Sequence, residues 1–378
     1  MIMELNMFQD LFKTPLHALH IEMGGKMIPF ANHEMPVQYA LGVRKEHIHC
    51  RKHAGLFDVS HMGQLRLHGV NAAKSLETLV PVDIIDLPIG KQRYALFTNK
   101  QGGVMDDFMV TNLGDHLFLV VNAAFKEQDI AHLRANLLGE VELEVIEDHA
   151  LLALQGPEAA KVLASMNPAV AGMFFMDAAM LDLIGIECLV SRSGYTGEDG
   201  YEISVPADRA NELARALLAN VAVEWIGLAA RNSLRLECGL CRYGHDIDTS
   251  TTPVEASLIW ALSKVRCADG ERSGGFPGAK IILEQVTTKN VSRKRVGLVG
   301  FRGTIARDGA ILFNADDKEV GVVTSGTFGP TIGYPIAMGY ISTPLATRGT
   351  IVFAEVRNKK LAMTVEKIPL VSQRYHRG

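Results

Sequence analysis

Apolar and polar positions alternate in short runs along the first part of the chain. Residues 94–98, YALFT, read as a strand, 99–103 as a turn and 104–111, VMDDFMVT, as a second strand. Residues 112–115, NLGD, turn again, and 116–122 make a third strand. Within it, 117–121 is the unbroken apolar run LFLVV, which predicts burial on both faces. A later strand is predicted at 201–205, YEISV. Amphipathic helices are predicted over 127–138 and 207–218, and Leu228, Ala229, Ala230, Leu234 and Leu236 mark the start of another packed helix. Residues 267–280 carry Gly270, Gly274, Gly275, Pro277 and Gly278, a boundary composition. Beyond them, short strands with frequent glycines predict a small β-barrel. The organisation expected is therefore a mixed α+β region over 1–275 and a β-barrel over 285–378, with no internal repeat and no low-complexity tract.

Composition narrows the classes. A chain of 378 residues is too long for one ordinary core, and 48% hydrophobic with 21% charged residues suits a soluble enzyme. A net charge of -4 argues against nucleic acid as the main partner. The basic run at 289–295 reads as a solvated linker or the start of a strand. No apolar stretch reaches membrane-spanning length. Five cysteines without framework spacing fit a reducing compartment. Met1 to Asp10 carries Glu4 and Asp10 and lacks a signal or transit pattern, so a bacterial cytoplasmic protein is expected. A mitochondrial matrix protein with its transit peptide removed is the alternative.

Candidate chemistry starts with Asp106 and Asp107, adjacent on the second strand just after Gly102-Gly103. Side chains alternate along a strand, so only one of the two carboxylates can face a pocket. Both could instead simply close a solvated turn. The three-strand meander would bring a Tyr, an Asp and an Asn (Tyr94, Asp107, Asn122) to a common surface, a combination suited to a flat polar heterocycle. The segment 191–202, SRSGYTGEDGYE, is an ordinary hairpin loop or a pocket wall carrying Tyr195 and Glu202. It matches no phosphate loop. Arg231 near a helix start calls for an external anion or an acidic partner, and Glu237, six residues on, faces elsewhere. Cys238 and Cys241 form a CxxC, placed one turn apart on the predicted helix and read as buried free thiols. His49 and His53 share a helix face, but the surrounding charges predict a solvated face and not a metal site. Ser60-His61 resembles half of a nucleophile pair, yet strand neighbours point apart.

An ordered set of segments then carries a family resemblance. It comprises TPL at 14–16, MPVQY at 35–39, GLFDVSHMG at 55–63, GGVMDD at 102–107 and VVNAA at 120–124. LQGP at 154–157, SRSGYTGEDG at 191–200, GLAAR at 227–231, LRLE at 234–237, TSGTFGP at 324–330 and PLVSQRY at 369–375 complete it. Together they resemble the T-proteins of the glycine cleavage system, the aminomethyltransferases. The resemblance implies two intertwined α+β lobes and a C-terminal β-barrel in a cloverleaf around a folate cavity. It implies tetrahydrofolate as co-substrate and lipoylated H-protein as partner, with no nucleic acid and no membrane. It implies transfer of the aminomethyl one-carbon unit to tetrahydrofolate, giving 5,10-methylenetetrahydrofolate, ammonia and dihydrolipoyl H-protein. Asp107 falls on the family's essential carboxylate. Tyr94, Asn122, Tyr195, Glu202, Arg231 and Tyr375 fall on folate-site positions, and Phe175 falls where many members have a Tyr. No metal is implied. The rivals are another tetrahydrofolate-dependent demethylase and a non-catalytic folate-binding protein on the same fold. The second kind carries a KGC-containing motif, which this sequence lacks.

Overall fold

The computed structural model describes residues 11–301 and 303–378; the segment Met1 to Asp10, read above for targeting signals, lies outside them. Helix α1 (His17–Glu22) leads into the hairpin β1 (Lys26–Phe30) and β2 (His33–Gln38). Helix α2 (Val43–Lys52) follows, then β3 (Ala54–Asp58), β4 (Gly63–His68) and α3 (Ala72–Glu77). The meander comes next, as β5 (Lys91–Thr98), β6 (Val104–Asn112) and β7 (His116–Val121). After α4 (Lys126–Asn136) come β8 (Glu142–Ile146), β9 (His149–Gln155) and α5 (Ala159–Ala164). Strands β10 (Ala178–Leu183), β11 (Ile186–Ser191) and β12 (Gly200–Pro206) precede α6 (Ala210–Leu218), β13 (Val223–Trp225) and α7 (Leu228–Glu237).

Two sheets share this region and are interwoven by the chain. One has the order β10-β11-β12-β9-β3-β13 and the other β5-β6-β7-β4-β8. The chain lays β3 in the first sheet, crosses to build β4 to β8, then returns, and β9 pairs with β3. The first sheet takes β3 from before this excursion and its other strands from after it, while the second is built wholly from β4 to β8; these are the two intertwined lobes expected. Helix α6 shows why such elements form. Ala210, Leu213, Ala214 and Leu217 fall at helical spacing and are all buried, joining a core with Leu152, Leu154 and Val205. Truncating a Leu in such a setting costs about 2–5 kcal/mol.

Helix α8 (Ala279–Thr288) occupies the boundary region, with Ile282 packed among Val254, Leu262 and Phe276. The barrel follows as β14 (Arg293–Gly300), β15 (Ile311–Phe313), β16 (Glu319–Gly329), β17 (Tyr334–Ser342), β18 (Ile351–Val356) and β19 (Lys359–Glu366). Strand β14 pairs with both β17 and β19 and so closes the barrel. Helix α7 packs against α2, β2 and the barrel strand β16, which puts it at the meeting point of the three parts.

Four local expectations are corrected here. Helix α2 is only partly a solvated charged face: Arg44, Lys45 and Lys52 are exposed, but Glu46, His47, Cys50 and Arg51 are buried. Burial of these charges is tolerated because each is paired. Glu46 accepts from the backbone N–H groups of Tyr39 at 2.6 Å and Gly227 at 2.8 Å. Arg51 donates to Glu198 at 2.8 Å and Glu237 at 3.0 Å. Cys238 and Cys241 do not sit one helical turn apart, because α7 ends at Glu237 and Gly239 turns the chain with φ +67°. Both are nonetheless buried free thiols. Ser60 and His61 lie in the turn between β3 and β4 rather than in a strand, and Ser60 donates to the Leu151 carbonyl instead. The basic run at 289–295 is only partly solvated: it does start β14, but Arg295 is buried and donates to the carbonyls of Ala256 and Gly239. Among the described residues no helix is long and apolar enough to cross a membrane, and no group of three side chains is arranged to hold a metal ion.

Candidate functional site

The turn before β6 sets the position of the acid pair. Asn99 accepts from the Gly103 N–H at 2.9 Å and donates to the Thr249 carbonyl at 2.8 Å. A Cβ on Gly103 would stand 1.9 Å from that same carbonyl oxygen, so only glycine lets the two backbones meet. From this fixed start, strand alternation sends Asp106 into the lobe interior, where it is fully buried, and leaves Asp107 partly accessible on the opposite face. Asn122, just past β7, ties the two together. Its amide donates to Asp106 at 2.8 Å and to Asp107 Oδ1 at 2.9 Å. The Tyr94 hydroxyl lies beside Asp107. Burial pushes Asp107 up to about 7, and Tyr94 and Asn122 oppose the rise. The Tyr–Asp–Asn surface expected from the meander is thus a contiguous set.

The loop between β11 and β12 forms a second wall. Arg192 clamps Asp199 with two bonds, at 3.0 and 2.6 Å, and closes the loop on itself. Gly197 has φ +76°, and a Cβ there would stand 2.0 Å from the Cys238 sulfur. Held this way, Tyr195 donates its hydroxyl to the Cys241 carbonyl. The Arg231 guanidinium lies 4.7 Å from the Tyr195 ring centroid. Glu202 accepts from Ser193 at 3.2 Å. Burial raises the Glu202 carboxyl, and Arg231 opposes that rise. Arg231 makes no ion pair with it, and its buried Nη1 has no hydrogen-bond partner. Glu237 is engaged elsewhere, with His47 and Arg51, as its helix face requires.

Phe175 and Tyr375 form a separate pair, stacked with ring centroids 4.1 Å apart. The C-terminal tail that carries Tyr375 runs back over the loop. The Arg374 N–H donates to Gly197 at 2.8 Å, its guanidinium to Glu198 at 2.7 Å, and Phe175 donates to the His376 carbonyl at 2.7 Å. Among the described residues no hydrogen bond or ring contact joins this pair to Asp107. The segment 194–199 is what links it to the rest of the cluster.

Sequence reasoning missed three residues here. Asp129 on α4 is buried against Asp106. It lies four residues before Leu133, on the apolar stripe of its helix, and a carboxylate on that stripe was the available signal. Trp260 puts its ring 5.2 Å from Tyr94 and is 65% exposed. Arg242 lies over the Phe30 ring at 5.3 Å. Neither of these two had a local pattern to reveal it.

The architecture agrees with that of related proteins. Residues 16–266 match the family model of the GCVT N-terminal domain, and 293–371 that of the glycine cleavage T-protein C-terminal barrel domain. The mitochondrial aminomethyltransferase of Dictyostelium discoideum is 44% identical, over 97% of this chain and 94% of that protein. The mitochondrial enzyme of Homo sapiens is also 44% identical, over 97% and 91%. The crystal structure of glycine cleavage system aminomethyltransferase T from Bartonella henselae has a TM-score of 0.91 at 44% identity, covering 97% of this chain and all of that one. The chain therefore belongs to the glycine cleavage T-protein family, the aminomethyltransferases.

Proposed function

We propose that this aminomethyltransferase moves the one-carbon unit of the aminomethyl group on lipoylated H-protein to tetrahydrofolate. Ammonia leaves, and 5,10-methylenetetrahydrofolate and dihydrolipoyl H-protein are the other products. The observation that carries this reading is the partly accessible Asp107 carboxylate, held by Asn122 and flanked by Tyr94, with the unpaired Arg231 nitrogen in the same cluster. Tetrahydrofolate supplies the nucleophilic ring nitrogen that accepts the one-carbon unit. Positive charge develops on carbon and nitrogen as that unit passes, and a fixed carboxylate beside it stabilises the charge without reorganising. With its pKa near 7, Asp107 can also take up and return a proton during loss of ammonia.

The remaining residues bind and orient. Glu202 accepts from ring donor groups of the pterin, a task for an ionised carboxylate. Arg231 has a free donor for a carboxylate or carbonyl oxygen of the same molecule. Tyr94 and Tyr195 supply flat apolar area with a polar end. Phe175 and Tyr375 form an aromatic wall tied to the loop by the tail. The relatives from Dictyostelium discoideum and Homo sapiens are mitochondrial by name.

The test is ammonia release from aminomethylated H-protein, dependent on tetrahydrofolate, with sarcosine-like and sulfonium donors in parallel. Turnover with the H-protein donor alone supports this function. Turnover with either other donor instead moves the chain to a demethylase, and folate binding without turnover makes it a non-catalytic binder.

A further inference from the structure

Behind Asp107 lies a second carboxyl pair that the reaction as described does not use. Asp106 and Asp129 are 0% and 1% exposed, and neither forms an ion pair with any described cation. Asp106 Oδ1 accepts twice, from the Asp107 N–H at 2.8 Å and from the Asn122 amide at 2.8 Å. Its Oδ2 has no partner, and neither has Oδ2 of Asp129. Hydrogen bonding between the Asp106 and Asp129 side chains shifts both carboxyls. Two buried carboxylates cannot satisfy one another, because both only accept. A single proton between them satisfies both.

We propose that Asp106 and Asp129 share one proton, held on Asp106, so that the carboxyl next to Asp107 is neutral and Asp107 alone presents negative charge to the reacting cation. Asp106 is then a positioning residue. Its Oδ1 fixes the Asn122 amide and the Asp107 backbone, while its protonated Oδ2 donates to Asp129. The remaining charge rests on Asp129, on the far side of Asp106 from the accessible face.

The surroundings fit this assignment. The titratable groups facing the pair are Asp107 on the same strand and Tyr243 from the segment after α7. His132 stands one turn along α4 from Asp129, with its buried Nε2 unpartnered; burial lowers its pKa and keeps it neutral. With no cation to balance two charges, burial pushes both carboxyls well above the usual range.

The inference rests on Asp107 being the working carboxylate, and its test separates the two ideas. Infrared spectra of folate-free protein carrying 13C-labelled aspartate, taken at about pH 8, above the Asp107 midpoint, report protonated aspartic acids directly. The expected result is an isotope-shifted protonated-carboxyl band that survives Asp107→Asn and is lost in Asp106→Asn. The acid limb of the kcat/KM profile is the second measurement. If Asp106 is already neutral, Asp106→Asn leaves that limb where it is in wild type. If Asp106 is charged, the substitution removes a neighbouring negative charge and moves the limb to lower pH by roughly one unit. Such a movement overturns the proposal. So does absence of the band in wild type, which would mean two ionised, hydrated carboxylates and needs no variant to fold. Full turnover in Asp107→Asn with the band intact would instead remove the mechanistic role of Asp107 and leave the shared proton standing.

Discussion

At the scale of single residues, the site depends on what burial does to acids. On the proposed mechanism the ionised form of Asp107 is the active one, so kcat/KM rises with pH through about 7, the value to which burial pushes this group. Asp107→Asn is expected to lower kcat on the order of 10²–10³-fold, with folate affinity within about threefold, read from steady-state kinetics and equilibrium binding. The same groups affect stability. Asp106, Asp107 and Asp129 all have folded pKa values above the unfolded aspartate value near 4, so the folded state holds the extra protons. Their contribution is fully present below about pH 4 and is lost as pH rises through the folded values. Asp106→Asn removes one such group. Its Tm relative to wild type should therefore climb between about pH 5 and pH 9, measured by calorimetry. A difference that stays flat or falls over that range would count against the protonated state.

At the scale of elements, α2 and α7 act as connectors. Arg51 of α2 reaches both Glu198 in the loop and Glu237 at the end of α7, and its side chain is only 5% exposed. Removing it takes a buried cation away from two buried carboxylates, Glu198 and Glu237. Arg51→Met is expected to cost about 3–5 kcal/mol in urea denaturation. Arg374 also binds Glu198, but its side chain is 51% exposed, and Arg374→Ala should cost under about 1 kcal/mol in the same assay. The contrast was not visible in the sequence. Charges at Arg44, Lys45, Glu46, Arg51 and Lys52 suggest a solvated helix, and only the packing of α7 on α2 decides which of them go inside. The meander was legible because two-residue alternation and Gly or Asn turns are local properties. Alternation likewise puts Asp106 and Asp107 on opposite faces whatever the tertiary fold, but the choice of Asp107 as the working carboxylate is what the family resemblance implies.

At the scale of the molecule, the tail closes the arrangement. The barrel ends at Glu366, and the residues after it return to the lobes, where the Val371 N–H donates to Glu237 at 2.8 Å and Tyr375 stacks on Phe175. Deleting residues 371–378 removes this wall and leaves every barrel strand in place. The shortened protein is expected to keep its circular dichroism spectrum and to bind tetrahydrofolate about tenfold more weakly, about 1.4 kcal/mol, by titration calorimetry. Unchanged affinity would remove Tyr375 from the binding site.

The sequence by itself determined the strands and helices whose periodicity is local, the barrel after the glycine-rich boundary, and an ordered series of motifs specific to one family. Tertiary structure alone decided which charges are buried, where the CxxC cysteines separate, and that Asp129 stands behind Asp106. Those outcomes depend on segments far apart in the chain meeting in a low-dielectric interior. There the cost of an unpaired charge exceeds any local preference.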